Sequence, residues 1–263
     1  MSITSRFFTI TVKPQIPAVK QHAGNIADAS VLFDWTGFDI PKGAAKLAGM
    51  TVLYRGKDGA DVESALDFEL FFAKSNVQTP TSTPSTLGPV AGTVQPPAVG
   101  TQPWFNDLIG KIYIDASHMV NDGDLVHMNV LNTVEGEPGT DHIWGYPGNL
   151  VMEGQPESGT NVGYDKVYVA AISKANHNWE STMNLNGASS TSSPTLTVQT
   201  ISALANLAPG DLLADEDGLA LGTVKTVDSA TQVTLESDCA SVSADEKKVY
   251  NENPIILKLH FER

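Results

Sequence analysis

Chemistry in a protein needs groups that can act together, so the histidines, the thiol and the acids are read first. The six histidines are His22, His118, His127, His142, His177 and His260, and no two stand within five residues of each other. No local pair of zinc-ligating imidazoles therefore exists. His260 alternates with Leu259 and Phe261 and is expected to face solvent or an interface. The single thiol, Cys239, follows Asp238. A neighbouring acid raises a thiol pKa, whereas an activated thiolate needs positive surroundings. Cys239 is therefore expected to be an unreactive core or surface thiol.

The acids cluster twice. Asp211, Asp215, Glu216 and Asp217 come close together before Gly218, and Asn121-Asp122-Gly123-Asp124 forms a second group. Oxygen ligands suit calcium, but the one-three-five spacing and distal glutamate of an EF-hand loop are missing. Solvated turns are the expectation for both. With 30 acids in the chain, some pair always has a spacing that suits glycoside hydrolysis, so such a pair carries no information. His-Glu-x-x-His, Gly-x-Ser-x-Gly and the phosphate-cradling Gly-x-x-x-x-Gly-Lys are all lacking. No catalytic, cofactor-binding or metal-binding residue is assigned, and the chain is expected not to be an enzyme.

Loop aromatics are a better clue to function. Trp104 and Phe105 follow a proline-rich stretch, and Trp144 and Tyr146 sit in a Gly/Pro loop. Aromatics in polar loops can anchor protein interfaces. They can equally plug the ends of a β domain as core, or form a platform for sugar. All three readings stay open, and these four residues are the candidate interface.

The elements that must position these side chains read as strands. Phe8, Ile10 and Val12 alternate with Phe7, Thr9 and Thr11, and Pro14 and Pro17 end that run. Further strands are expected at 31–35, 46–55, 66–73, 108–114, 124–131 and 167–172, separated by turns such as Lys57-Asp58-Gly59. Single helical turns are possible at 44–47 and 202–207. Residues 75–103 hold six prolines among Thr, Ser and Gly, and read as a long loop or arm that could reach a neighbour. Residues 135–163 form another loop-rich stretch.

A linker-like run, Gly187 to Pro194, precedes short strands at 195–199, 211–214, 221–227 and 232–235. That spacing predicts a small β-barrel over 194–250. The chain then returns to a regular strand at 254–263, where Leu257, Leu259 and Phe261 alternate with Lys258, His260 and Glu262. This strand is expected to complete a main domain formed by 1–186, with the small barrel inserted. Two consecutive domains are the simpler alternative. The fold class expected is all-β, a β-sandwich resembling a jelly roll with a second small β-barrel domain.

The formal charge is −14, with no basic cluster beyond Lys247-Lys248. That argues against nucleic acid and anionic membranes as partners. Charged residues make up 17%, below the usual share of about a quarter, so turn and strand-edge residues supply the polarity. Nothing approaches the roughly 18 apolar residues of a membrane helix, and the first residues lack the pattern of a secretion signal.

Two passages resemble known proteins. Val31 to Ala45 (VLFDWTGFDIPKGAA) is similar to segments of virion structural proteins of marine tailed phages. Pro209-Gly210-Asp211-Leu212, followed by Gly222 to Leu235 (GTVKTVDSATQVTL), resembles the small β modules of phage head, tail and fibre proteins. The resemblance implies virion structure, with decoration or cementing of the capsid as the role. The implied partners are the major capsid protein or other virion proteins, with homo-oligomers such as a trimer, and no cofactor. The implied location is the capsid surface, after synthesis in the bacterial host cytoplasm. One departure stands out: one-domain decoration proteins are much shorter. The alternative is a tail, neck or fibre component with glycan or receptor binding through Trp104, Trp144 and Tyr146. A β-sandwich polysaccharide lyase or hydrolase is a third class.

Overall fold

The computed structural model describes residues 7–55, 67–74, 84, 86–94, 108–121, 126–131, 150–153, 155–156, 164–181, 183–201 and 207–263. Nearly all regular structure is antiparallel β. Strands β1 (Phe7–Val12), β2 (Val31–Pro41), β3 (Ala45–Tyr54), β4 (Phe68–Ala73), β5 (Leu108–Ile114), β6 (Val120–Asn121), β7 (Val126–Leu131), β8 (Leu150–Met152), β9 (Gln155–Pro156) and β10 (Tyr164–Ser173) come first. They are followed by β11 (Thr195–Thr197), β12 (Leu212–Asp215), β13 (Ala220–Ser229), β14 (Gln232–Leu235), β15 (Val249–Asn251) and β16 (Ile255–Glu262).

Two sheets form the main body. One runs β1-β16-β3-β7-β6, with β8 also pairing β3; the other runs β2-β10-β4-β5, with β9 also pairing β10. The eight principal strands in chain order are β1, β2, β3, β4, β5, β7, β10 and β16. The sheets then read first-eighth-third-sixth and second-seventh-fourth-fifth, which is the strand order of a jelly roll. Alternation explains why these strands sandwich a core. Leu257, Leu259 and Phe261 of β16 point inward with Leu47, Met50 and Val52 of β3. They meet Phe68, Leu70 and Phe72 of β4 and Val167 and Val169 of β10 from the other sheet. Phe38 and Phe261 touch across the gap with ring centroids 6.4 Å apart.

The C-terminal strand lies inside the first sheet. β16 pairs with β1 from Phe7↔Glu262 to Val12↔Leu257, and with β3 from Tyr54↔Ile255 to Lys46↔Glu262. Between β10 and β16 the chain builds a third sheet, β11-β14-β13-β12-β15, around its own apolar cluster of Leu196, Leu213, Val224, Val233 and Leu235.

Several expectations need correction. The third sheet is not a closed barrel of strands. Its two edges are both bonded to the irregular stretch 183–186: Val249 N donates to Met183 O at 2.7 Å and Asn186 N to Thr197 O at 3.0 Å. Gly187, with φ +94°, turns the chain before that stretch can extend into a sixth strand. Residues 45–47 open β3 rather than making a helical turn, because Ala45 and Leu47 both face the core. The expected turn at 202–207 falls mostly outside the described residues. The α-helix that does form, α1 (Ala18–His22), follows Pro17 and is only five residues long. Among the described residues no helix is long and apolar enough to cross a membrane.

Part of the proline-rich stretch packs on its own body. Val31 N donates to Gly92 O at 3.0 Å and Ala91 N to Val31 O at 2.8 Å. The Asp34 carboxylate accepts from Thr86 Oγ1 at 2.6 Å and Leu87 N at 3.1 Å. Leu87 is fully buried against Val31, Phe71, Ala170 and Ile172, on the outer face of the β2-β10-β4-β5 sheet. Residues 86–94 so held are not free to reach a neighbour.

Candidate functional site

The densest polar constellation sits where the inserted sheet meets the sandwich. Arg55, at the end of β3, and Asp211, just before β12, are both buried and form a two-pronged ion pair. Asp211 also accepts from Lys13 Nζ at 2.9 Å, Ala208 N at 2.8 Å and Asn251 Nδ2 at 3.2 Å. Burial by itself would raise the Asp211 carboxyl, but the Arg55 guanidinium, with Lys13 and the Ala208 N–H, outweighs it and holds the pKa below the usual value. Arg55 Nη2 donates to Asn253 O at 2.6 Å, and Trp179 Nε1 donates to Arg55 O at 2.9 Å.

The three residues Asn251, Glu252 and Asn253 carry the chain back across this junction. Glu252 Oε1 accepts from Ala18 N at 2.8 Å and its Oε2 from Gln15 Nε2 at 2.5 Å. Asn253 Oδ1 accepts from Leu212 N at 2.8 Å, while its amide donates to Lys13 O and Pro14 O. Helix α1 wedges in beside them, with Ala18 packed on Ala214 and Tyr250. The His22 ring shares a 2.9 Å hydrogen bond with the Tyr250 hydroxyl, which burial pushes up to about 12. Most of these bonds tie the inserted sheet to the sandwich and to α1.

Two members of the acid cluster, Asp211 and Asp215, are buried, which corrects the expectation of solvated turns for them, whereas Asp217 stays exposed in a turn. Asp215 is buried; its Oδ1 accepts from Asp217 N and Leu219 N, and its Oδ2 from Ser243 Oγ at 2.5 Å. Glu216 binds Lys247 at 2.7 Å, which lowers its carboxyl. Among the described residues no group of three His, Cys, Asp or Glu side chains is placed to hold a metal ion.

The histidines also separate. His177 is fully buried between Tyr54 and Asp67 and stacks on Trp179, with ring centroids 5.3 Å apart. Its Nε2 lies 3.2 Å from Asp67 O, which can only accept, so Nε2 carries the proton and Nδ1 accepts from the Tyr54 hydroxyl at 3.0 Å. Burial lowers the His177 pKa to about 4. His260 lies on the outer face of its sheet, half-buried between Thr9 Oγ1 at 2.9 Å and Thr51 Oγ1 at 3.1 Å. Cys239 is buried, and burial first, then Asp238, raises its thiol.

The candidate interface residues Trp104, Phe105, Trp144 and Tyr146 lie outside the described residues, as does His142; nothing brings them together or separates them. One surface with a described geometry is the outer face of the β1-β16-β3 sheet. There Thr9 and Thr11 of β1 stand in rows with His260 and Lys258 of β16, beside exposed Phe7 and, on β8, exposed Val151. A second exposed element is the β13–β14 hairpin, where the Asp228 carboxylate accepts from Thr226 and Thr234 hydroxyls at 2.8 and 2.6 Å. Sequence reasoning missed the junction. The one available signal was Arg55, a lone arginine ending an apolar strand in an acidic chain.

No protein-family model and no curated protein matches the chain. Among solved structures, the crystal structure of the STIV MCP aligns with 97% of this chain and 96% of that chain, at 10% identity and a TM-score of 0.13. A TM-score that low leaves the fold to be argued from strand order.

Proposed function

We propose that this chain is a structural protein of a phage particle, a decoration or cement protein that binds the outside of the capsid lattice. The observation that carries the proposal is the jelly-roll strand order of the main body. That architecture serves viral capsid domains, lectins and cupins. Fold does not choose among them, so the choice rests on the site. Buried His177, Asp211 and Asp215 are held by internal hydrogen bonds at the junction and core, which supports binding rather than turnover. The two phage-like passages fall on β2 and on the β12–β14 region of the inserted sheet.

On this reading 194–250 is a module inserted into the sandwich, the partner is the shell protein, and the location is the particle surface. A protein that binds only the assembled lattice stabilises it by the free energy of binding. Particles stripped of this protein should release their genome at lower temperature or milder osmotic shock than decorated ones, and adding it back should restore resistance. Equal resistance would overturn cementing. Lectins share the jelly roll, so tail or fibre attachment through sugar is the second reading. Glycan-array binding lost in Trp104→Ala and Trp144→Ala variants would favour it.

A further inference from the structure

The stretch that closes the inserted sheet ends in Asn186-Gly187, the one Asn-Gly pair in the chain. Asparagine is among the thermolabile residues. The reason is chemical: the next backbone nitrogen can attack its side-chain carbonyl carbon. Glycine in the second place removes the Cβ that would crowd this approach. Both residues are exposed, and a Cβ built on Gly187 would meet no atom within 4 Å. Other described asparagines are tied down. Asn176 Oδ1 accepts from Asp28 N, Asn178 Oδ1 from Glu180 N, and the Asn251 and Asn253 side chains are bonded at the junction. These four are followed by His, Trp, Glu and Pro.

The attacking nitrogen is itself held. Gly187 N donates to Asp245 Oδ1 at 2.7 Å. The same oxygen accepts from Glu246 N at 2.9 Å, and Glu246 sits at φ +67°, in the left-handed region. Glu246 is fastened in turn by Gln199 Nε2, which donates to its Oε2 at 2.7 Å. The nitrogen must shed its proton to attack. A carboxylate at this distance keeps that proton in place and opposes a second negative charge beside it.

We propose that Asn186 is a self-modification site: in the folded protein its side chain closes on the Gly187 nitrogen and converts to aspartate and isoaspartate, at a rate restrained by Asp245. The Gly187 nitrogen attacks the Asn186 side-chain carbonyl carbon. A new C–N bond closes a cyclic imide, the bond to Nδ2 breaks, and ammonia leaves with the proton that Gly187 gave up. Water then opens the ring. Opening at the former side-chain carbonyl gives aspartate, and opening at the backbone carbonyl gives isoaspartate. Nothing is oxidised or reduced.

Both products set a new carboxylate near Asp245, and isoaspartate also lengthens the main chain by a methylene. Both changes work against the stretch 183–186, which holds the two edges of the third sheet. Gln199 N donates to Asn184 O at 2.8 Å and Val249 N to Met183 O at 2.7 Å. The modification is therefore a slow, one-way loosening of the inserted sheet. It concerns the chain whether or not it belongs to a virion.

The test is prolonged incubation of the full chain in mildly alkaline buffer, followed by peptide mapping with mass spectrometry. Residue 186 is expected to show the mass of an amide-to-acid exchange before any other asparagine, its peptide splitting into two chromatographic forms. Asp245→Ala should convert roughly three- to tenfold faster, the rate equivalent of one solvent-screened hydrogen bond to a charged acceptor. Wild type unfolded in urea should gain a similar factor, since unfolding also frees the nitrogen. In the aged protein the Gln199 and Val249 amides should exchange faster. Another asparagine converting first in the folded chain, or no conversion at 186, would overturn the site. An Asp245→Ala rate equal to or below wild type would overturn the restraint, and unchanged exchange would overturn the loosening. Should Asp245→Ala fail to fold, Asp245→Asn decides: it keeps an acceptor oxygen without the charge and must still convert faster than wild type.

Discussion

At the scale of single residues, His177 shows how burial turns a titratable group into a structural one. It is neutral in the folded chain, held by Tyr54 and Asp67, with its pKa lowered to about 4 by burial. An unfolded histidine titrates near 6.5. Between these values the unfolded chain binds the proton that the folded chain refuses, so stability falls as pH drops from about 6.5 toward about 4. The full shift corresponds to roughly 3 kcal/mol, unchanged above the upper value and lost in full below the lower. Urea unfolding at pH 7 and pH 4.5 should show a loss for the wild type that exceeds the loss for His177→Gln by about 2–3 kcal/mol. Equal losses would mean that the ring is already charged in the folded state.

At the scale of elements, the segment 86–94 is the least expected piece. Ala91 sits at φ +58°, the left-handed region that costs a non-glycine residue about 1 kcal/mol. Ala91→Gly should therefore tighten the docking, raising stability by about 0.5–1 kcal/mol and slowing exchange of the Ala91 amide, which donates to Val31 O. Slower exchange without added stability would place the benefit in this segment alone. Strands were the legible part of the sequence: alternation at 8–12, 68–73 and 257–261 marks β1, β4 and β16 with their inward faces. The short β6, β8, β9 and β15 were not legible, because strands of two or three residues have no period to read. α1 escaped for the same reason, and its helix depends on packing Ala18 against Ala214 and Tyr250. Nor could spacing reveal the junction, since Arg55 and Asp211 are 156 positions apart in the chain. The aromatic loops chosen as the candidate interface lie outside the described residues, so the functional argument rests on the strand order of the main body.

At the scale of the whole molecule, the buried Arg55–Asp211 pair couples the sandwich to the inserted sheet. Removing one partner strands a charge away from water and typically costs about 3–5 kcal/mol, whereas replacing both with apolar residues of similar size can be close to neutral. The wild type is expected to unfold in one calorimetric transition, and Arg55→Met to split it into two, with the junction lost first. Arg55→Met combined with Asp211→Leu should restore most of the stability and merge the transitions again. A single transition in Arg55→Met would show that Glu252, Asn253 and α1 suffice to couple the bodies.

The place of β16 also governs how the protein is made. This strand is threaded between β1 and β3, yet it follows the inserted sheet in the chain. Until it emerges from the ribosome, the first sheet has a vacant lane through its centre, flanked by two apolar strands. The inserted sheet should thus act as a timer on biogenesis, the nascent sandwich keeping its slot open to intruding strands until β16 arrives to seal it.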